Sequence, residues 1–225
     1  MLGVWDYTVI LTYISFASAG IGIFCAISMH LPWAIFCLAC SGLCDMFDGK
    51  IARTKKDRTE DEKKFGIQID SLCDMVCFGI LPMVICYKSG MNHIYSMVIL
   101  VLYGLAGLVR LAHFNVIEEK RQEQTDEDKK YYHGLPITSM AIALPLLYVL
   151  SPLLPGRQVF LALMHVLVMA VGALFIVDFK LRKPTVMEVA LLVGVVALAV
   201  VILVVIGRSW WVFIHHTRFP VSLPR

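Results

Sequence analysis

The chain has 225 residues, 59% of them hydrophobic and 16% charged, with a mean hydropathy of +0.76. A soluble domain of this length does not carry so much apolar residue, so the composition excludes that class and points to a polytopic membrane protein. The net charge of +3 arises from basic residues interleaved with acids, as in Asp57-Arg58-Thr59-Glu60-Asp61-Glu62-Lys63-Lys64. That pattern belongs to a solvated loop, and no nucleic-acid partner is expected.

Apolar stretches long enough to cross a bilayer run at roughly 8–29, 32–51, 67–88, 92–113, 135–152, 157–177 and 186–207. They predict an all-α transmembrane bundle forming a single integral membrane domain over 1–225, with six core helices and a seventh added. Ala17-Ser18-Ala19 resembles a signal-peptide cleavage site. No positive residue precedes it and the apolar run continues beyond it, which predicts an uncleaved helix. The fifth stretch is the shortest, and Pro145 within it suggests a kink. Basic residues gather in the segments 50–64, 114–133 and 178–185, which alternation places on one side. The positive-inside rule makes that side cytoplasmic, with 114–133 a charged cytoplasmic loop. Seven cysteines all fall in predicted helices, an odd count that argues against a disulfide framework. Cys37-x-x-Cys40 sits among Ala, Phe and Leu and reads as a pair of small buried apolar residues.

The chemistry is concentrated in 45–74. Asp45 and Asp48 are three residues apart, and Asp70 and Asp74 are four apart. On helices each pair lies on one face. All four lie within or beside membrane-length apolar runs, where an ionisable group is costly and by default functional. Two such faces meeting would surround a small volume with oxygen ligands suited to Mg2+ or Mn2+ and to phosphate. An EF-hand is excluded, because Met46 and Phe47 stand where oxygen ligands are needed.

Asp45-x2-Asp48-Gly49-x2-Ala52-Arg53, followed by Gly66-x3-Asp70-x3-Asp74, resembles the signature of the CDP-alcohol phosphotransferases, integral membrane enzymes of phospholipid synthesis. The spacer from Thr54 to Phe65 is longer than is usual in that family. The resemblance implies a six-helix core fold, a homodimer, metal ligation by Asp45, Asp48, Asp70 and Asp74, and a general-base role for Asp74. It also implies CDP-lipid binding by Asp45, Gly49, Ala52, Arg53 and Gly66. For the two glycines, close approach of backbone to a nucleotide and helix–helix packing through small residues both remain open.

A second constellation lies further on. Arg110 stands inside the fourth apolar run, ahead of His113-Phe114-Asn115, and Tyr131-Tyr132-His133-Gly134-Leu135-Pro136 follows the charged segment. Snorkelling would account for the position of Arg110, and helix punctuation for Gly-Leu-Pro. Together with the first motif, however, they are similar to the phosphatidylserine synthase branch of the family. His113 stands where that branch usually has a second arginine, and Thr138 where it often has proline. The branch implies CDP-diacylglycerol and L-serine as substrates among membrane lipids, with Arg110 and Asn115 as candidates for the acceptor pocket. Glycerol 3-phosphate or an inositol phosphate is the alternative acceptor. A divalent-cation transporter would need a matching acidic pair in the second half, where Asp178 and Glu188 lie only at span ends.

Overall fold

Helix α1, Tyr7–Ile27, buries Thr8, Thr12, Ser15, Ala19, Gly22 and Ala26 along one face, spaced at three or four residues. This stripe of small and hydroxylated side chains packs against α2, Leu31–Ala52. The seam is close: a Cβ on Gly22 would come 2.9 Å from the Cβ of Cys37. Ser15 Oγ donates to the Ser41 carbonyl at 3.2 Å and Ser41 Oγ returns a bond to the Ser15 carbonyl at 3.1 Å. In hydrocarbon, helices associate through just such close packing and hydroxyl bonds. The computed structural model describes residues 3, 6–52, 55, 57, 59–124 and 131–182; Arg53, the seventh apolar stretch at 186–207 and His215-His216 lie outside the described residues.

Helix α3, Glu60–Asp74, starts earlier than the apolar run. Thr59 Oγ1 accepts from the Glu62 N–H at 3.2 Å while Glu62 Oε2 accepts from the Thr59 N–H at 2.9 Å, a reciprocal cap. The helix passes directly into a π-helical segment, Met75–Ile80, and then α4, Leu81–Ser89. Pro82 follows the irregular turn and has no N–H to offer the Phe78 carbonyl four residues earlier. Tyr103 Oη supplies the missing donor at 2.5 Å. Glu60–Ser89 is thus one apolar helical passage with its π segment immediately after Asp74, a placement common at functional sites.

Helix α5, Ile94–Gln124, is 31 residues long. The expected loop at 114–133 is therefore helical in its first half, with the apolar helix continuing into a charged extension. Gly104 faces Met83 Sδ, 2.8 Å from where a Cβ would sit, and Gly107 faces Ile137 Cδ1 at 3.0 Å. Both glycines serve contacts within the protomer. The chain then forms β1, Tyr131–His133, a 3-10 turn at Ile137–Ser139, and α6, Met140–Leu150, in which Pro145 is buried. After α7, Arg157–Ile176, strand β2, Lys180–Arg182, pairs antiparallel with β1, Tyr131 opposite Arg182 and His133 opposite Lys180.

Among the described residues, five helical passages are long and apolar enough to span a membrane, and the shorter apolar segment Ile137–Leu153 corresponds to the fifth predicted stretch, at 135–152. Phe78, Leu81, Ile85, Met140, Leu144, Tyr148 and Met164 are fully buried at the centre, while Phe24, Ile94, Val101 and Leu153 point outward. An apolar exterior around internally bonded helices is what a bilayer solvates. The protein is an integral membrane protein of the all-α class, and all seven cysteines are free thiols.

Candidate active site

Asp45 and Asp48 occupy the last turns of α2, and Asp70 and Asp74 the last two turns of α3. One carboxylate oxygen from each of Asp45, Asp70 and Asp74 lies within 4.8 Å of the others. Asp45 is within hydrogen-bonding reach of Asp74, and Asp48 of Asp70, so the two i-spaced pairs interlock across the helices. Asp48 and Asp74 are buried, Asp45 and Asp70 half-buried. Such crowding of carboxylates is unfavourable unless positive charge stands between them. Oxygens at about 2.1 Å around Mg2+ or Mn2+ are up to ~4.2 Å apart, so a small contraction of this set fits such an ion. A pair of ions at about 3.5–4 Å would draw on Asp48 as well. Gly66 lies one turn before Asp70, and Gly49 and Ala52 lie on the final turn of α2.

The seam with α1 supports the cluster. Thr12 Oγ1 donates to Asp48 Oδ2 at 3.4 Å, and Cys73 Sγ reaches the Thr12 carbonyl at 3.2 Å. Thr12 thus touches both helices that carry the acids. Sequence reasoning missed it, although hydroxyls at residues 8, 12 and 15 in an apolar helix follow a face-forming spacing. At the same end of the bundle Lys55 Nζ binds Asp6 Oδ2 at 2.6 Å and Glu62 Oε1 at 3.2 Å, joining the start of α1 to the start of α3. These bonds, that to Asp6 first, hold the Lys55 ammonium above its ordinary pKa.

The two acceptor candidates part company. Asn115 Oδ1 accepts from Ser71 Oγ at 2.5 Å, which ties α5 to the residue after Asp70. Arg110 is five residues earlier, roughly 140° round the helix axis, and faces Gly134 instead. Its Nη1 would stand 3.1 Å from a Cβ on Gly134, and the Val177 carbonyl 3.0 Å from the same position. Gly134 has φ +72 and donates its N–H to the Phe179 carbonyl at 2.7 Å. Only glycine meets both demands, left-handed backbone and no Cβ, so Gly-Leu-Pro is more than punctuation here. The contact brings the chain on either side of Asp178, read on sequence as a span end, to the same glycine as Arg110.

The sequence model of the CDP-alcohol phosphatidyltransferase family matches residues 7–177. The chain is similar to the CDP-diacylglycerol–serine O-phosphatidyltransferase of Saccharomyces cerevisiae, 34% identical over 110 residues, 48% of this chain and 38% of the relative. The enzyme of the same name from Helicobacter pylori strain 26695 is 33% identical over 141 residues, 62% of this chain and 54% of the relative. The archaetidylserine synthase of Methanothermobacter thermautotrophicus is 29% identical over 140 residues, 62% and 56% of the two chains. The chain therefore spans about half the length of these relatives or less. The family match runs from the start of α1 to the end of α7 and takes in the acidic cluster and its supporting helices. The chain belongs to the CDP-alcohol phosphatidyltransferase family.

Proposed function

We propose that this protein transfers a phosphatidyl group from CDP-diacylglycerol to L-serine, giving phosphatidylserine and CMP. The observation that carries the reading is the convergence of Asp45, Asp70 and Asp74 within 4.8 Å inside a membrane-spanning bundle. Serine as acceptor is supported by the names of the relatives and by the single fixed arginine of the second constellation. A phosphorylated acceptor would call for a larger basic cluster there.

The hydroxyl of serine attacks the phosphorus that bears the lipid, the bond to the CMP phosphate breaks, and the hydroxyl proton passes to a base. Asp74, buried at the end of α3, is assigned as that base. Mg2+ or Mn2+ bound by Asp45, Asp48, Asp70 and Asp74 would supply charge neutralisation for the diphosphate. Arg53, one turn beyond Asp48 to Gly49 in sequence, is assigned to the same diphosphate. Gly49, Ala52 and Gly66 are assigned to the nucleotide, whose close approach to backbone favours small residues. Asn115, its oxygen occupied by Ser71, keeps its amide nitrogen free to donate to the acceptor. The basic segments flanking the motif support a site that faces the cytoplasm. A homodimer belongs to the proposal, with its seam away from Gly104 and Gly107, which are filled within the protomer.

The test is a head-group transfer assay on membranes containing the protein, with CDP-diacylglycerol, Mn2+ or Mg2+ and labelled L-serine, and glycerol 3-phosphate and inositol phosphate in parallel. Cation-dependent phosphatidylserine and CMP, lost in Asp74→Asn, are expected. CMP release only with another alcohol would overturn the serine assignment and keep the chemistry.

A further inference from the structure

The structure brings Arg110 and the two residues that flank Asp178 to one glycine, at the depth of the acidic cluster. Arg110 and residues 177–179 meet at Gly134: the guanidinium and the Val177 carbonyl both crowd its Cβ position, and the Phe179 carbonyl accepts its N–H. Asp178 lies between those two residues in the chain, is exposed, and acts on the guanidinium through space. Depth follows from two contacts between α5 and the passage that carries Asp74. Asn115 meets Ser71, and Tyr103 meets the Phe78 carbonyl. Asp74 falls between Ser71 and Phe78, as Arg110 falls between Tyr103 and Asn115, so the two reach similar levels.

We propose that Arg110 and Asp178 together read the charge of the acceptor, the guanidinium taking the carboxylate and the Asp178 carboxylate taking the ammonium of an amino-acid alcohol. The inference rests on the serine assignment above and names the group that makes it selective. A guanidinium fork matches a carboxylate with two parallel bonds, and a carboxylate has lone pairs enough for an ammonium alongside its existing partners. The pair also selects by repulsion. A phosphorylated alcohol entering toward Arg110 meets the negative charge of Asp178, whereas a zwitterion is neutralised at both ends. The β1–β2 ribbon holds this arrangement, since Lys180 and His133 pair directly beyond Asp178 and before Gly134.

The experiment uses the full chain in nanodiscs with CDP-diacylglycerol and Mn2+, and three acceptors: L-serine, 3-hydroxypropionate, which lacks the amine, and ethanolamine, which lacks the carboxylate. Each analogue is followed as a substrate or, where turnover is too slow, as a competitor of serine. Asp178→Asn is expected to lower kcat/KM for serine roughly ten- to a hundredfold and to raise it for 3-hydroxypropionate, whose uncompensated negative charge no longer meets Asp178. Arg110→Lys, which keeps the charge but not the fork, is expected to erode the preference for serine over ethanolamine. An equal loss with all three acceptors in Asp178→Asn, or no loss, would overturn the clamp and leave Asp178 as a plain counter-ion. If the unaltered protein releases CMP with glycerol 3-phosphate and not with serine, the serine assignment has failed and the clamp falls with it. A serine-active protein with an unselective Asp178→Asn removes the clamp alone.

Discussion

Ser71 and Asn115 are 44 residues apart in sequence and are joined by a 2.5 Å hydrogen bond, Oγ to Oδ1. Ser71 follows Asp70 directly on α3, and Asn115 lies on α5, so the bond fixes the distance between the acidic cluster and the wall of the proposed acceptor pocket. If the serine matters through Asn115, the two side chains act as one unit. Ser71→Ala should cost about 1 kcal/mol of transition-state stabilisation, close to fivefold in kcat/KM for the acceptor. The KM for the CDP-lipid should not move. Asn115→Ala should cost more, and the double variant no more than Asn115→Ala alone. Steady-state kinetics on the four proteins decide the matter, and additive losses would show that the residues act independently.

The acidic cluster makes a prediction about stability that needs no turnover. Without a cation the carboxylates of Asp45, Asp48, Asp70 and Asp74 repel one another where α2 and α3 bring them together. Asp45→Asn should therefore raise the thermal midpoint of the cation-free protein. The unaltered protein should gain about 2–3 kcal/mol from Mn2+ at a hundred times its dissociation constant, and the variant should lose most of that gain. Scanning fluorimetry in detergent, with chelator or Mn2+, reads both effects. A variant that is less stable without cation and still responds fully to Mn2+ would contradict the assignment of Asp45 as a ligand.

Thr12 offers a test of how the acids are held. Its hydroxyl lies 3.4 Å from Asp48 Oδ2, and Thr12→Val removes the bond while keeping the shape. The expected result is a several-fold rise in the Mn2+ concentration needed for half-maximal activity, with Thr12→Ser restoring most of the original value. A bond to a charged acceptor in a buried site is worth about 1.5–3 kcal/mol, which sets the upper end of that change. Titration of activity against Mn2+ at saturating substrates gives the answer, and an unchanged titration in Thr12→Val would leave Thr12 as packing only.

The spans and the acidic motif were legible because each depends on local pattern. Apolar length identifies the passages, and spacings of three and four place Asp45 with Asp48 and Asp70 with Asp74 on common faces. The start of α3 was legible too, in Thr59-x-x-Glu62, but a dense run of charges there reads more readily as loop. The extension of α5 to Gln124 is of the same kind, since Glu, Lys, Arg and Gln are good helix formers whose charge marks solvent without marking a loop. Thr12 with Asp48, Ser71 with Asn115, and Arg110 with Asp178 depend on how helices dock, which no single segment encodes. Gly104 and Gly107 show the converse: a small-residue pattern identifies close packing without naming the partner, here Met83 and Ile137.

The last prediction concerns the irregular turn after Asp74. Pro82 leaves the Phe78 carbonyl without its helical donor, and Tyr103 Oη supplies one from α5 at 2.5 Å. In the membrane interior no water replaces a lost donor, so Tyr103→Phe should destabilise the protein by about 1–3 kcal/mol. Pro82→Ala changes the balance, because an N–H at residue 82 can bond Phe78 directly and let the π-helical segment relax toward α-helix. In that background Tyr103→Phe should cost much less than in the unaltered chain. The relaxed turn should also displace Asp74, which immediately precedes the π segment, so the double variant should regain stability without regaining activity. Thermal unfolding and transfer rates measured on the four proteins separate these outcomes. Equal destabilisation by Tyr103→Phe in both backgrounds would mean that the tyrosine contributes packing and not the missing hydrogen bond.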